Sequence, residues 1–320
     1  MRLPSLPLIL LAGGSSRYDH LPQDAESQRP LSGYKAADLR LDGSPLIEHV
    51  CARYAATGRF HPIYVAGPDR IYRGMSLSGA AILDTDGDFG QNLRQATERV
   101  VREHPGSAAA YATADVLPSP EDLKTALDDY DRHVPCAFWM LECRVPEERG
   151  TLGSSTWKPK YWIRGDEDPQ PVPTLPGHLV IAKPEGVRRH LLYEIFEIAY
   201  RTRNTSIGYR FRVVTLGVFG SMLRADRRRL RSFQPPTLTL ELLWNGTRFA
   251  LHLRKGIDHE LMARLLRRIY LTRSYRKAHP DEPGRVAVLD VLSLARDVDT
   301  RAEARELGLD LEPAKGPNAP

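Results

Sequence analysis

The sequence is poor in cysteine and has no long apolar run. Its 320 residues include only three cysteines, Cys51, Cys136 and Cys143, and their spacing matches no zinc or disulfide framework. An odd number of scattered cysteines is typical of a reduced protein, and we expect a cytoplasmic one. No apolar run approaches the length needed to cross a bilayer. These scarcities argue against a disulfide-stapled secreted domain and a membrane-spanning protein.

A strong excess of one charge is also missing. The formal net charge is +5 and the sequence pI is about 9.1. This mild basic balance fits an anionic small molecule, a nucleic acid or a membrane surface, and does not choose among them. The basic run Arg224–Arg231 has no nucleic-acid-binding module beside it, so we expect no nucleic-acid partner.

Strand patterns alternate with helix patterns over the first part of the chain. Such alternation predicts an α/β fold, in which a mainly parallel sheet is covered by helices on both faces in three Rossmann-like layers. Short apolar runs predict strands at 8–12, 62–67, 81–83, 108–114, 137–143, 161–163 and 178–182, and again at 285–291. Amphipathic stretches predict helices at 45–57, 90–103, 118–130 and 300–307.

The pattern changes at residue 184. Helical periodicity dominates from there to residue 284, and predicts helices at 188–203, 211–231 and 258–273. One stretch, 238–253, carries apolar residues that alternate on both sides of Asn245-Gly246. Alternation around an Asn-Gly pair predicts a β-hairpin, although the same residues also fit a helix. The last residues, 312–320, are expected to form a disordered tail.

The turn after the first strand is the first candidate for chemistry. Residues 11–17 read Leu-Ala-Gly-Gly-Ser-Ser-Arg. A glycine pair after a buried strand lets backbone N–H groups approach an anion without a side chain in the way. Arg17 can grip phosphate oxygens through two hydrogen bonds, and Lys35, beyond a polar loop, adds a second positive charge. The alternative is a purely structural role, in which the two glycines form a tight turn and bind no ligand.

The chain resembles the nucleotidyltransferases related to molybdenum-cofactor guanylyltransferase. The resemblance lies in Leu10–Arg17 and in residues 35–50, which include Gly43-Ser44-Pro45-Leu46. That family's pattern is L-A-G-G, a Ser or Thr, Arg, a loop, a Lys and then G-x-P-L at a helix start. This sequence departs from it in a longer loop between Arg17 and Lys35, and it lacks the Met-Gly that commonly follows the Arg.

Two further motifs resemble the same family. Residues 111–118, Tyr-Ala-Thr-Ala-Asp-Val-Leu-Pro, resemble its strand that ends in a magnesium-binding Asp, which is Asp115 in this chain. Position alone would leave Asp115 equally well explained as a helix cap. Residues 297–300, Asp-Val-Asp-Thr, resemble the family's closing D-x-D-T, which implies that Asp299 is a second metal ligand with Asp297 as its neighbour. The alternative for Asp299 is a helix cap.

The resemblance implies a Mg²⁺-dependent nucleotidyltransferase that moves a nucleoside monophosphate from a triphosphate, GTP or CTP, to a phosphorylated small-molecule or lipid acceptor. It implies catalytic roles for Arg17, Lys35 and Asp115, and a sheet of the nucleotide-diphospho-sugar transferase type. One catalytic domain would comprise residues 1–183 and 285–311, interrupted by a mainly helical insertion at 184–284. The implied nucleotide-binding residues are Leu11, Ala12, Gly13, Gly14, Ser15, Ser16, Arg17, Lys35 and Asn92.

Other readings stay open. A nucleotide-sugar glycosyltransferase uses a similar sheet, and a non-catalytic nucleotide-binding protein would keep the same turn. The mixed apolar and basic helices of the insertion also fit peripheral contact with a membrane. His178 stands where the family has Asn in a strand near the acceptor, and either a functional or a structural histidine fits. Lys158 and Lys160 fit an acceptor phosphate or a solvated surface equally well.

Overall fold

The fold is seen in a computed structural model of the chain. The structure describes residues 4–14, 31, 33–146, 161–201 and 237–311, together with positions 217, 220, 222–224, 226, 227, 230 and 231. The expected tail at 312–320 therefore lies outside the described residues. The described positions between 217 and 231 are helical, in agreement with the helix predicted there.

Within the described ranges, nine strands form one sheet at the centre of the fold. A separate small sheet joins β12, β2 and β3. The strands are β1 (Leu6–Leu11), β2 (Leu39–Leu41), β3 (Ser44–Pro45), β4 (Phe60–Gly67), β5 (Ala81–Asp84), β6 (Ala109–Thr113), β7 (Phe138–Arg144), β8 (Tyr161–Arg164), β9 (Val172–Ala182), β10 (Ile257–Asp258), β11 (Gly284–Leu289) and β12 (Asp310–Leu311).

Most pairings in the central sheet are parallel. The order β5-β4-β1-β6 is parallel throughout, and β7 pairs in parallel with β11. The long strand β9 lies between β6 and β7 and runs antiparallel to both. The parallel strands place their carboxyl ends along one edge of the sheet, where ligands bind in folds of this kind.

Helices cover both faces of the sheet. On one face Ile9, Tyr64 and Ala109 pack against α4, whereas the alternate residues Leu8 and Leu10 face α2 and α5 in the largest core cluster. The predicted three-layer α/β fold is therefore confirmed. The helices are α1 (Lys35–Asp38), α2 (Leu46–Ala56), α3 (Asp69–Tyr72), α4 (Phe89–Glu103), α5 (Pro120–Arg132), α6 (Arg189–Arg201), α7 (Thr237–Lys255), α8 (His259–Tyr270), α9 (Arg273–Ala278) and α10 (Arg301–Glu306).

The described parts of the region 184–284 are mainly helical. Turns and short connections lie between the helices, and the two-residue strand β10 pairs with β8 of the central sheet. After this region the chain returns to the central sheet, where β11 pairs with β7. The division into a catalytic domain and an insertion stays a prediction. Among the described residues, no helix is both long and apolar enough to span a membrane.

Two predictions of secondary structure need correction. The Pro-rich stretch before the strand expected at 178–182 is partly strand itself, since β9 begins at Val172 and pairs with β7 and β8 there. The hairpin predicted around Asn245-Gly246 is instead the continuous helix α7. Its residues Leu242 and Asn245, three positions apart, are buried, so packing against neighbouring helices decides between two patterns that the sequence allowed.

We expect Gly246→Ala to stabilise the protein by about 0.5–1 kcal/mol, because glycine is a poor helix former and a methyl group at this position meets no other atom within 4 Å. Urea denaturation of the two proteins measures the difference. In a hairpin turn the same substitution would destabilise, so a loss of stability contradicts the helix.

Glu142 is a buried carboxyl group in the middle of this sheet. It lies on β7 with 3% of its surface exposed, and the hydroxyl of Thr174 on β9 donates to its Oε2 at 3.0 Å. Burial raises the pKa of Glu142 to about 7, although the hydrogen bond from Thr174 opposes the change. The folded protein therefore keeps a proton that the unfolded chain loses at lower pH.

This difference in pKa makes stability fall as pH rises. The unfolded carboxyl ionises near its usual pKa of 4.5, whereas the folded one holds its proton until about pH 7. The free energy of unfolding should therefore decline across that window, by about 3 kcal/mol in total, and stay level above it. We expect Glu142→Gln to remove this decline, as measured by urea denaturation at pH 5 and pH 8. The exposed Glu167→Gln is the control, and an unchanged decline in Glu142→Gln would refute the assignment.

Candidate active site

The site lies at the carboxyl end of β6. The segment that contains Asp297 and Asp299 returns from the far end of the chain and lies beside this strand end. An isolated antiparallel bridge joins Val116 to Asp297, and the N–H of Val298 donates to the carbonyl oxygen of Asp115 at 3.1 Å. Two segments that are distant in sequence are thereby held together by backbone hydrogen bonds.

This pairing creates a cluster of three carboxylates. Asp115, Asp297 and Asp299 each offer one oxygen, and the three oxygens lie within 4.8 Å of one another. None of the three is needed to cap a helix nearby. Ser119 caps α5, and Thr300 caps α10 in a reciprocal capping box with Glu303. The cap explanation that the sequence left open for Asp115 and Asp299 is therefore not needed.

Lys35 joins the cluster from the opposite end of the chain. Its ammonium group lies 2.5 Å from Asp115 Oδ2 and 2.7 Å from Asp299 Oδ1, and also donates to the carbonyl oxygen of Val298 at 3.0 Å. The Lys35 side chain is only 12% exposed. Burial alone would lower the pKa of Lys35, but the charges of Asp115 and Asp299 outweigh it and hold that pKa above its usual range.

The same contacts act on Asp115 in the opposite direction. Burial would raise the pKa of Asp115, yet the Lys35 ammonium, together with His178, lowers it well below its usual range. Asp115 is therefore an ionised carboxylate at neutral pH. Because carboxylate oxygens are the ligands that Mg²⁺ prefers, and because the three carboxylates exceed the single ammonium by two charges, the donor set fits one divalent cation.

The glycine turn lies next to the cluster and is tightly packed. A Cβ on Gly13 would lie 2.8 Å from Nδ2 of Asn92, and a Cβ on Gly14 would lie 2.6 Å from Cε1 of Tyr34. Neither glycine needs a positive φ, so the requirement is close approach of neighbouring side chains. The carbonyl oxygen of Ala12 accepts a 2.7 Å hydrogen bond from the buried Tyr72 hydroxyl.

Tyr34 is fixed over this turn by two further groups. Its hydroxyl donates to Asp86 at 2.8 Å and accepts from Arg70 at 2.7 Å, and Arg70 also pairs with Asp86 at 2.7 Å. The ring over Gly14 is therefore anchored at its outer end. Sequence reasoning missed Tyr34, although it directly precedes Lys35.

Asn92 is buried on α4 and its amide is partly engaged. Its Oδ1 accepts from the N–H of Gly87 at 2.9 Å, and its Nδ2 donates to the carbonyl oxygen of Gly87 at 3.1 Å. These bonds order the loop before α4. Oδ1 of Asn92 can accept one more hydrogen bond, and Nδ2 can donate one more. These free positions would suit the edge of a nucleobase, and that role stays a prediction.

His178 faces the cluster from β9. Its Nδ1 lies 3.1 Å from the Thr113 hydroxyl, and its Nε2 lies 3.8 Å from Asp297 Oδ1. The pairing of β9 with β7 shifts register between Pro176 and Val180, a stretch that includes His178. Within it, a Cβ on Gly177 would lie 2.6 Å from Leu141. Such irregularities re-aim side chains next to active sites. The structure thus places this histidine in the site.

A cavity of about 490 Å³ joins these groups. It is bounded by the glycine turn, Lys35, the three carboxylates, Asn92 and His178, and it continues beneath α4 and α6 between mainly apolar side chains. Of the sequence-derived site residues, Leu11, Ala12, Gly13, Gly14, Lys35, Asn92, Asp115 and Asp299 all line it. The remaining candidates Ser15, Ser16 and Arg17 lie outside the described residues, as do Lys158 and Lys160.

Asp297 was named from the sequence only as a neighbour of the proposed ligands. The spacing Asp297-Val298-Asp299 is the signal that could have included it, because alternate residues of an extended segment point to the same side. The apolar half of the cavity had no signal in the sequence, since its walls come from strands and helices that also form ordinary core.

No protein-family model matches this chain, and neither does any curated protein sequence. A hypothetical transferase from Thermus thermophilus is 19% identical, and the alignment covers 93% of this chain and 99% of that chain with a TM-score of 0.48. Because this TM-score is below 0.5, the fold class rests on this chain's own strand order.

Two other solved structures are similar over a shorter part of the chain. The CMP:2-keto-3-deoxy-manno-octonic acid synthetase complexed with CTP is 13% identical over 57% of this chain and 75% of that chain, with a TM-score of 0.41. A mannose-1-phosphate geranyltransferase from Thermus thermophilus is 15% identical over 67% of this chain and 68% of that chain, also with a TM-score of 0.41.

We expect Gly14→Ala to destabilise the protein by about 1–3 kcal/mol, because the added methyl group must displace the anchored ring of Tyr34. In a protein that already carries Tyr34→Ala, the Gly14→Ala substitution should cost little stability, because the ring that it displaces is absent. Thermal or urea unfolding measures the cycle. Gly74→Ala, where a methyl group meets nothing within 4 Å, is the matched control; strict additivity of the two substitutions would rule out the contact.

Proposed function

We propose that the chain is a Mg²⁺-dependent nucleotidyltransferase that transfers a nucleoside monophosphate from GTP or CTP to a phosphorylated acceptor and releases pyrophosphate. The observation that carries this proposal is the convergence of Asp115, Asp297, Asp299 and Lys35 beside the glycine turn, at the carboxyl edge of a mainly parallel sheet. The resemblance of the opening and closing motifs to molybdenum-cofactor guanylyltransferase relatives supports the same activity.

The reaction asks the protein mainly for positioning and charge. An oxygen of the acceptor phosphate attacks the α-phosphorus of the triphosphate, the bond to the bridging oxygen breaks, and pyrophosphate leaves with that oxygen. The backbone of Gly13 and Gly14 would hold phosphate oxygens, as would Arg17 from beyond the described residues. Lys35 is held charged by Asp115 and Asp299, and can offset negative charge near the reacting phosphates.

The carboxylates would hold the metal. Asp115 and Asp299 are the proposed ligands, and the geometry adds Asp297 to the set. When bound, Mg²⁺ would neutralise charge on the phosphate oxygens. His178, between Thr113 and Asp297, would orient the acceptor from the opposite wall.

A nucleotide-sugar glycosyltransferase is the second candidate. The Asp297-Val298-Asp299 segment lies at the sheet edge beside Asp115, and a D-x-D of this kind also suits a metal bound to a nucleoside diphosphate. The released product separates the two reactions: pyrophosphate supports nucleotidyl transfer, whereas a nucleoside diphosphate supports the glycosyltransferase. Nucleotide binding without turnover of any phosphorylated acceptor would instead indicate a non-catalytic protein.

Binding of the nucleotide can be measured before any acceptor is known. We expect GTP or CTP with Mg²⁺ to raise the melting temperature by several degrees at saturating concentration, because a ligand that binds only the folded state stabilises it. We expect Asp115→Asn to lose the Mg²⁺-dependent part of that rise, and to reduce pyrophosphate release on the order of 100-fold or more.

The control for this substitution is Asp128→Asn. Asp128 is an exposed carboxylate on α5 whose described partner is Lys124, four residues away. It should leave both the nucleotide response and turnover unchanged. If Asp115→Asn, with its fold intact by circular dichroism, keeps the full Mg²⁺-dependent response, Asp115 is not a metal ligand.

A further inference from the structure

The cavity has two ends with different chemistry. One end holds Lys35, His178 and the three carboxylates. The other end, which we call the apolar arm, is lined chiefly by Met140, Val180, Ala182, Phe138, Leu93 and Leu192. Thr97, Tyr111 and Tyr193 add three hydroxyl-bearing side chains to the cavity wall. The proposed metal- and phosphate-binding groups that the structure describes all lie at the first end, and Asn92 is the one residue of α4 with a proposed role in nucleotide binding. None of the roles proposed above involves the side chains of the apolar arm.

The sheet forms the floor of the apolar arm. His178, Val180 and Ala182 are alternate residues of β9 that all line the cavity, and the register places Val180 beside Met140 and Ala182 beside Phe138. Since a strand advances about 3.3 Å per residue, Ala182 lies roughly 13 Å along the strand from His178. The floor therefore leads from the polar end into apolar surroundings over that distance.

Helices α4 and α6 form the roof and run in opposite directions. The rings of Phe89 and Phe196 lie 5.8 Å apart near the polar end, and Arg189 pairs with Glu98 at 2.8 Å further along α4. The two helices approach closely at Gly90, where a Cβ would lie 2.9 Å from Cβ of Glu197. These contacts hold α4 and α6 against each other along the roof.

Apolar side chains make up most of these walls, and the hydroxyls of Tyr111 and Tyr193 both lie within hydrogen-bonding reach of Thr97. Such a space favours a hydrocarbon over a polar ligand. Apolar walls gain free energy by removing hydrocarbon from water, whereas a nucleobase or sugar needs hydrogen-bonding partners at its edges. We infer that the acceptor is a phosphate monoester of a hydrocarbon chain, with the chain in the apolar arm and the phosphate at the polar end near Lys35 and His178. This inference rests on the proposed function, because it names the class of the acceptor.

The test is a series of n-alkyl monophosphates from two to twelve carbons, titrated by calorimetry below their micelle concentrations. We expect affinity to rise about three- to four-fold per added methylene group until the arm is full, and then to level off. Glycerol phosphate should bind as weakly as the shortest member. Affinity that does not depend on chain length would overturn the inference, and so would equal binding of the matching alcohols, which lack the phosphate.

Two substitutions on the floor, which we call the ruler variants, measure how far the hydrocarbon chain extends into the apolar arm. Ala182→Phe should fill the far part of the arm and shorten the longest chain that still gains affinity. Val180 lies two residues nearer the polar end, so Val180→Phe should shorten the longest chain that still gains affinity even further. Ethyl phosphate should bind to this variant as it does to the unchanged protein. Ala52→Phe, the same change at an exposed position of α2, is the control. If one ruler variant fails to fold, the other still reports; identical chain-length profiles in a folded ruler variant and the control would refute the placement.

Two further measurements complete the test. Farnesyl phosphate and a single-chain acyl glycerol phosphate distinguish an isoprenoid from an acyl source, and tight binding of either supports the hydrocarbon chain. The melting response to Mg²⁺ and GTP or CTP is recorded on the same samples. A normal nucleotide response without any chain-length dependence overturns this inference alone, whereas chain-length dependence without a nucleotide response overturns the proposed function and leaves the binding site.

Discussion

The ion pairs of Lys35 hold the candidate site together. Its ammonium group contacts Asp115, at the end of the fourth strand of the parallel set, and Asp299, near the end of the chain. Without that cation, three carboxylates would face each other within 4.8 Å, and their mutual repulsion would oppose the pairing of Val116 with Asp297. The geometry of the site therefore depends on a positive charge from Lys35, the first residue of α1.

The charges in the site do not cancel. One ammonium offsets only part of the charge of three carboxylates, and what remains suits a divalent cation with hard oxygen ligands. Lys35 keeps its proton because Asp115 and Asp299 outweigh its burial. The same residue thus contributes to folding by joining two segments and to the proposed chemistry by carrying positive charge beside phosphates.

The helices between residues 184 and 284 form part of the cavity wall. Leu192 and Tyr193 of α6 roof the cavity, and Tyr270 and Leu271, at the end of α8, also line it. Glu241 on α7 pairs with Arg188, which directly precedes α6, at 3.1 Å and also pairs with Arg276 on α9. A region that the sequence presented as an insertion into the sheet therefore encloses part of the space where an acceptor would lie.

The sequence by itself determined the alternating α/β order, because buried parallel strands are short apolar runs that local patterning reveals. Its residue pattern also supplied the glycine turn and Lys35 as candidates, whereas Asp115 and Asp299 became candidates through the resemblance of their motifs to a nucleotidyltransferase family. Only the tertiary structure decided that residues 237–255 form a helix, that Asp297 and His178 join the cluster, and that an apolar arm lies beside it. Those outcomes depend on packing between distant segments, and spacing along one chain does not encode which walls will face each other.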